Sequence, residues 1–180
     1  MSLEHYFLDI PFEIDTLNQK YKQQMLDQFS AYEQLQQQGL ASVNNINCEF
    51  VQPVYTQIIH RLWCHTVHSL FDVDSQIGTT RCWIAVQDHN KKFRPWHNHA
   101  KTATINAVFY CDPPSQGGEL ALWFLNQEHR IPVQKNRMYI FPYWMEHRAL
   151  PQTSQSPRIS INCEYLCRSR PVVRRSGVVW

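Results

Sequence analysis

The chain has 180 residues, with 17 Lys and Arg against 15 Asp and Glu for a formal net charge of +2. That length suits one domain with a sizeable core, and a hydrophobic share of 43% with 13% aromatics excludes a disordered tail. The small net charge gives no electrostatic reason to expect a nucleic-acid partner, and no run approaches the roughly eighteen apolar residues of a membrane span.

The stretch MSLEHYFLDIPFEID carries acids where a secretory leader carries positive charge, and it lacks a long apolar run, so a cytoplasmic protein is expected. Cys48, Cys64, Cys82, Cys111, Cys163 and Cys167 contain no C-x-x-C pair. Several stand in apolar segments and read as buried free thiols of a reducing compartment. Cys163 and Cys167 lack the second pair that a zinc site would need.

In chain order, Leu17, Tyr21, Met25, Phe29, Tyr32 and Leu35 recur at helical spacing, which predicts a helix over 17–38 with Asp15 or Thr16 as N-cap and Gly39 past its end. A second helix is predicted over 53–71. Its stripe is Tyr55, Ile58, Ile59, Leu62, Trp63, Val67, Leu70 and Phe71, and Pro53 sits in its first turn. His60, His65 and His68 fall off that stripe and read as solvated. From residue 79 the period changes to two: TRCWIAVQ, TATINAVFYC, GELALWFL, RMYIFP and RISINCEYL are strands separated by Pro, Gly and Asn clusters. Helices followed by strands argue for an α+β, mainly β fold, a sandwich or barrel with N-terminal helices packed outside. One domain is expected, with helical support over 1–78, a β core over 79–167 and a basic tail over 168–180.

The strands have two unlike faces. Ala103, Ile105, Ala107, Phe109 and Cys111 make one face of the second strand, and Thr104, Asn106, Val108 and Tyr110 the other. In the last strand Ile159, Ile161, Cys163 and Tyr165 alternate with Arg158, Ser160, Asn162 and Glu164. The apolar faces suit helices; the polar ones meet either water or a polar pocket inside a barrel.

The segment RPWHNHA holds His97 and His99 one residue apart, so in an extended strand both imidazoles project to one side. Downstream, YIFPYWMEHRAL places His147 after a strand and an aromatic-rich turn, and Arg158 opens RIS. Each is unremarkable alone. The order H-x-H, strand, GGEL, strand, His, R-x-S is far more specific.

In WHNH, TINAVFYCDPP, GGELALWF, PVQKNRMYIFPYWMEH and RIS, over roughly residues 80 to 166, the sequence resembles the 2-oxoglutarate and Fe(II)-dependent oxygenases. The nearest branch is that of prolyl hydroxylases and small bacterial and phage oxygenases, so a phage-encoded protein fits. The resemblance implies a double-stranded β-helix, the cupin-like jelly roll, with iron between its sheets. In the family two histidines and one carboxylate hold Fe(II) on one face, leaving positions for the 2-oxo acid and O2. Position by position, it implies His97 and His147 as metal ligands and Arg158 as the bidentate partner of the far carboxylate of 2-oxoglutarate. Tyr110 and Ser160 match positions that bond the same carboxylate, and Asn106 shares their polar face. The implied activity is a dioxygenase, most simply a hydroxylase, that couples decarboxylation of 2-oxoglutarate to succinate and CO2 with oxidation of a substrate C–H bond.

One position departs from the pattern, since the family has H-x-D or H-x-E where this chain has His99. We expect three histidine ligands, Asp88 and Glu146 being carboxylates without motif support. A third neutral imidazole leaves the site one charge more positive, and His99→Asp is expected to rebuild the usual triad. Trp83, Trp96, Tyr143 and Trp144 are candidates for the mouth of a pocket taking a small-molecule or peptidyl substrate. Arg168, Arg170, Arg174 and Arg175 read as a solvated terminal segment. Two other readings fit the same residues: a three-histidine cupin-type dioxygenase without 2-oxoglutarate, and a non-catalytic jelly roll that binds a partner or belongs to a virion.

Overall fold

The computed structural model describes residues 2–37, 54–73, 79–87 and 95–180. The predicted Gly39 helix stop, Pro53, Cys48 and Asp88 lie outside the described residues.

The period-two segments form the expected strands: β3 (Thr79–Gln87), β4 (Ile105–Asp112), β5 (Leu120–Phe124), β7 (Arg137–Pro142) and β9 (Arg158–Leu166). Five shorter strands join them: β1 (Leu8–Pro11), β2 (Phe71–Asp72), β6 (Gln127–Ile131), β8 (Glu146–Ala149) and β10 (Val172–Val173). A five-stranded antiparallel sheet runs β1-β7-β4-β9-β3 and faces a three-stranded sheet, β6-β5-β8, while β10 and β2 form a separate ribbon. This is the expected mainly β, double-stranded β-helix architecture.

Residues directly opposite in an antiparallel pair point the same way, so the register decides what each face holds. Phe109 opposes Ile161, Ala107 opposes Cys163 and Ile105 opposes Tyr165; on the far side of β9, Ile161 opposes Ile84 and Cys163 opposes Cys82. Two helices precede the main strands, α1 (Asp15–Gln37) and α2 (Val54–Leu70); the residues named form an apolar outer face, and α2 covers it with Ile59, Trp63 and Val67, all fully buried. Trp63 also donates its indole N–H to the Glu164 carbonyl at 3.2 Å, which satisfies its polar atom inside the core. The opposite register set, Trp83, Ala85, Val108, Tyr110, Ser160 and Asn162, lines a cavity between the two sheets together with Leu120, His147 and Ala149 from the smaller one. The polar strand faces meet a pocket and not bulk water.

Several expectations are corrected. Strand β1 lies inside the segment read as helical support. It alternates, Leu8 and Ile10 half-buried and Asp9 and Pro11 exposed, but it is only four residues long and ends in Pro11, which an edge strand tolerates. Leu125 does not extend β5: Leu125 (φ 49°) and Asn126 (φ 60°) form a two-residue hairpin loop with both φ positive, the type I′ pattern. His60 bonds the Thr80 hydroxyl and His68 packs edge-on against Tyr165 with ring centroids 5.8 Å apart, so only His65 of the three is exposed.

The terminal segment is not solvated either. Val173 and Trp180 are buried, β10 pairs with β2, and the Trp180 ring lies 4.7 Å from that of Phe71 while its N–H donates to the His5 carbonyl at 3.0 Å. The arginines Arg168, Arg170, Arg174 and Arg175 are all exposed, as expected, although Arg174 also donates to the Phe71 carbonyl at 2.9 Å. The arginines disguised the apolar residues that anchor the segment. Trp180→Ala should therefore cost about 3–5 kcal/mol in a denaturant unfolding titration; a loss below about 0.5 kcal/mol would restore the solvated reading.

Candidate metal centre

His97 and His147 pair directly. Each donates its backbone N–H to the other's carbonyl, at 3.2 and 2.9 Å, so the H-x-H segment continues the small sheet beside β8. Opposed residues share a face, and the two imidazole centroids lie 4.4 Å apart. His99, two residues on, keeps that face. Its N–H bonds the Tyr143 carbonyl at 3.0 Å and its own carbonyl accepts from Thr102 and Ala103, closing a turn. Its ring lies 5.0 Å from His147 and 5.4 Å from His97. The ligand atoms of the three histidines all fall within 4.8 Å of one another.

Each histidine is tied through the same ring atom. Nδ1 of His97 donates to the Pro95 carbonyl at 3.1 Å, Nδ1 of His147 donates to the Met145 carbonyl at 3.1 Å, and Nδ1 of His99 donates to the Glu164 carboxylate. With Nδ1 carrying the proton, Nε2 keeps its lone pair, the tautomer a metal ligand needs. Three neutral imidazoles with oriented lone pairs suit a divalent transition metal such as Fe(II) and do not suit Ca or Mg. The residues present fit the group.

Glu164, which the alternation of RISINCEYL places only on a polar strand face, lies directly against His99. It sits on the pocket face of β9, is 5% exposed, and is held by His99, by the Thr102 hydroxyl at 3.0 Å and by the Arg81 guanidinium at 3.5 Å. Burial alone would raise its pKa. The hydrogen bonds from His99 and Thr102 and the Arg81 charge outweigh that and hold the carboxyl below its ordinary range. Glu146 does not fill this place: it precedes His147 on β8, faces the opposite way, and is exposed. The alternation in RISINCEYL had put Glu164 on the polar face; only its packing against the H-x-H turn, far away in sequence, gives it a role.

At the other end of the pocket Arg158 is buried. It donates to the Gly118 carbonyl at 3.1 Å and to the Gln87 side chain, and its guanidinium carbon lies 6.0 Å from the Tyr110 ring centre. Ser160 opposes both Tyr110 and Ala85, so Arg158, Tyr110 and Ser160 form one polar group. Burial pushes the Tyr110 hydroxyl above its usual pKa while the Arg158 charge pulls it back. The GGEL motif explains itself here: Gly117 and Gly118 have φ of +69° and +73°, and a Cβ on Gly118 would stand 2.5 Å from Pro114. That turn presents the carbonyl that Arg158 uses.

Asn106 does not join this group. It lies four residues back along β4, roughly 13 Å away, opposite Phe141 and Glu164. Among the aromatics, Trp83 lines the pocket with its ring 6.4 Å from His99. Trp96 does not: it adjoins His97 and therefore faces outward, stacked under the Arg148 guanidinium at 4.3 Å and beside Trp123. Trp144, in the turn between β7 and β8, packs on Tyr6 and Phe124 instead.

Residues 82–165 match the family model described as the 2OG-Fe(II) oxygenase superfamily. No curated protein sequence matches the chain significantly. Among solved structures, the prolyl-4-hydroxylase of Pseudomonas putida is similar at a TM-score of 0.62 and 16% identity, covering 93% of this chain and 91% of that one. A Trichoplax adhaerens prolyl hydroxylase, in complex with a hypoxia inducible factor oxygen degradation domain peptide fragment, gives 0.65 and 16%, covering 92% and 86%. The viral collagen prolyl hydroxylase of Paramecium Bursaria Chlorella virus-1, in its 2OG complex, gives 0.63 and 13%, covering 91% and 97%. At these identities the likeness is one of fold.

His97→Ala and His147→Ala should each abolish stoichiometric Fe(II) binding in an anaerobic titration and leave the circular dichroism spectrum unchanged, because both rings face the pocket and not the helix-covered core. A variant that keeps one equivalent of iron would remove that residue from the site.

Proposed function

We propose, from the match of residues 82–165 to the 2OG-Fe(II) oxygenase superfamily, that the chain couples the oxidative decarboxylation of 2-oxoglutarate to oxidation of a C–H bond in its substrate. One oxygen atom of O2 goes to succinate, with release of CO2, and the other goes to the substrate as a hydroxyl. The chain is an oxidoreductase of the dioxygenase kind, and its family uses Fe(II) and 2-oxoglutarate.

Bound Fe(II) supplies the redox chemistry with O2. The protein's own residues do the rest. His97, His99 and His147 hold the metal through Nε2. Arg158 pairs with the far carboxylate of 2-oxoglutarate, Ser160 and Tyr110 donate to the same group, and the bonds from Arg158 to Gly118 and Gln87 fix the guanidinium before the cosubstrate arrives. Ala85, Val108, Leu120 and Ala149, between the clamp and the histidines, exclude water from the space where the two reagents meet. Trp83 borders the side from which a substrate would approach. A peptidyl or small-molecule substrate fits this reading, and the peptide bound by the Trichoplax enzyme favours the former. An intracellular setting belongs to it as well, supported by the five cysteines among the described residues, all free and four of them buried. Among the described residues no helix is long and apolar enough to cross a membrane.

The observation that carries the proposal is the buried Arg158 aimed at one end of a pocket whose other end holds three histidines. A three-histidine cupin enzyme working without 2-oxoglutarate would have the second feature and no use for the first. Arg158→Ala should therefore raise the 2-oxoglutarate concentration needed for half-maximal succinate formation by more than about thirtyfold, as expected from loss of a buried charge pair worth roughly 2–5 kcal/mol. Fe(II) affinity should stay near wild type. An unchanged 2-oxoglutarate requirement would favour the cupin reading.

A further inference from the structure

Resting on the proposed metal site, we infer that Glu164 is the charge-compensating and positioning residue of the centre: it supplies, from behind His99, the negative charge that the related oxygenases bind directly. The site's ligands are three neutral imidazoles, so a divalent metal would keep both positive charges in a largely buried pocket, an expensive state without a counter-ion. A carboxylate, Glu164, bonds one of the three histidines directly. It meets His99 on Nδ1, which leaves Nε2 as the ring atom available to a metal. A carboxylate there fixes the tautomer, orients the ring and raises the basicity of Nε2.

The surroundings of Glu164 suit a negative charge kept for this purpose. Thr102 donates to the same oxygen that His99 uses, and Arg81 approaches the other oxygen at 3.5 Å. Arg81 is the weaker partner, being 42% exposed and beyond ordinary hydrogen-bond length. His99, at 16% exposure, is the dry one. The turn that joins His99 to Thr102 through backbone bonds brings both donors to β9 together, so one short segment delivers the ligand and closes the cage around its counter-ion.

This arrangement revises what a carboxylate at position 99 would do. The family pattern suggests that His99→Asp restores a standard triad. Here the new carboxylate would stand next to Glu164, two buried like charges where the protein holds one, with the Nδ1–H donor that now meets Glu164 gone. His99→Asp alone should bind metal poorly, and neutralising Glu164 should relieve it. The effect of Glu164→Gln thus reverses sign with the residue at 99. A residue that only braced the turn would shift affinity in the same direction in both backgrounds.

The test is a Co(II) titration of the wild type, Glu164→Gln, His99→Asp and the double variant, read by affinity and by the visible d–d bands that report the ligand set, with thermal melts to correct for folding. Glutamine keeps the size and an acceptor oxygen, so the comparison isolates the charge. Glu164→Gln in the wild-type background should weaken Co(II) by about 10–100-fold, and the double variant should bind at least about tenfold more tightly than His99→Asp. Equal affinity of wild type and Glu164→Gln, or a loss in both backgrounds, would overturn the inference. If Glu164→Gln alone does not fold, the pair of variants with Asp at 99 decides by itself: a gain supports the inference, and no gain overturns it. Failure of the wild type to bind Co(II), with His97→Ala indistinguishable from it, would instead overturn the metal site, and this inference with it.

Discussion

Glu164 is a carboxylate at 5% exposure, and a buried charge must be met by partners or neutralised. His99, Thr102 and Arg81 meet it, each from a different part of the fold: the H-x-H segment, the turn that follows it, and β3. Breaking such a cluster by removing one partner leaves a charge that costs on the order of 3–5 kcal/mol. That constraint locks the histidine segment onto the large sheet, while the backbone bonds between His97 and His147 lock it onto the small one. The histidines thus stand where the two sheets are held together, and their geometry follows from the closure of the sandwich.

The same sandwich separates the two ends of the proposed chemistry. Along the pocket face of β9, Arg158 and Ser160 come first, then Asn162, then Glu164, at roughly 3.3 Å per residue. A metal at the histidines and an anion at Arg158 would lie about one small molecule apart. No loop has to move to create that spacing, because it is set by the strand rise and by the register that puts Arg158 opposite Gln87 and Glu164 opposite Arg81. The outer face does the stabilising work: Ile59, Trp63 and Val67 of α2 cover β9 and β3, so the strand that carries both the arginine and the acid is anchored by apolar burial on its other side. Stability and chemistry use alternate residues of one strand.

What could be read from the sequence follows from that alternation. The five strong strands were legible because each has a distinct apolar face; His97, His147, Arg158, Tyr110 and Ser160 were singled out by the family resemblance, and the strand period added that His99 shares a side with His97 and that Tyr110, Arg158 and Ser160 lie on polar faces. Strands β6 and β8, QEHRI and EHRA, were invisible to a hydrophobic pattern, being polar at most positions. Trp96 was misjudged by ignoring the rule that put His97 and His99 on one side, since neighbours on a strand face apart. Asn106 shares a face with Tyr110 but not a place along the strand, and face alone cannot measure distance. Glu164 needed a long-range contact that no local pattern encodes. The buried Trp180 was hidden by exposed arginines around it.

The central claim, that three histidines bind the metal while Glu164 stays behind His99, is tested most directly by an anaerobic crystal structure with Fe(II) bound. The account predicts Nε2 of His97, His99 and His147 at roughly 2.0–2.2 Å from the metal, the range seen for imidazole ligands, with Glu164 still on Nδ1 of His99 and no protein carboxylate on the iron. A structure with Glu164 as a direct ligand, or with His99 turned away from the metal, would contradict it.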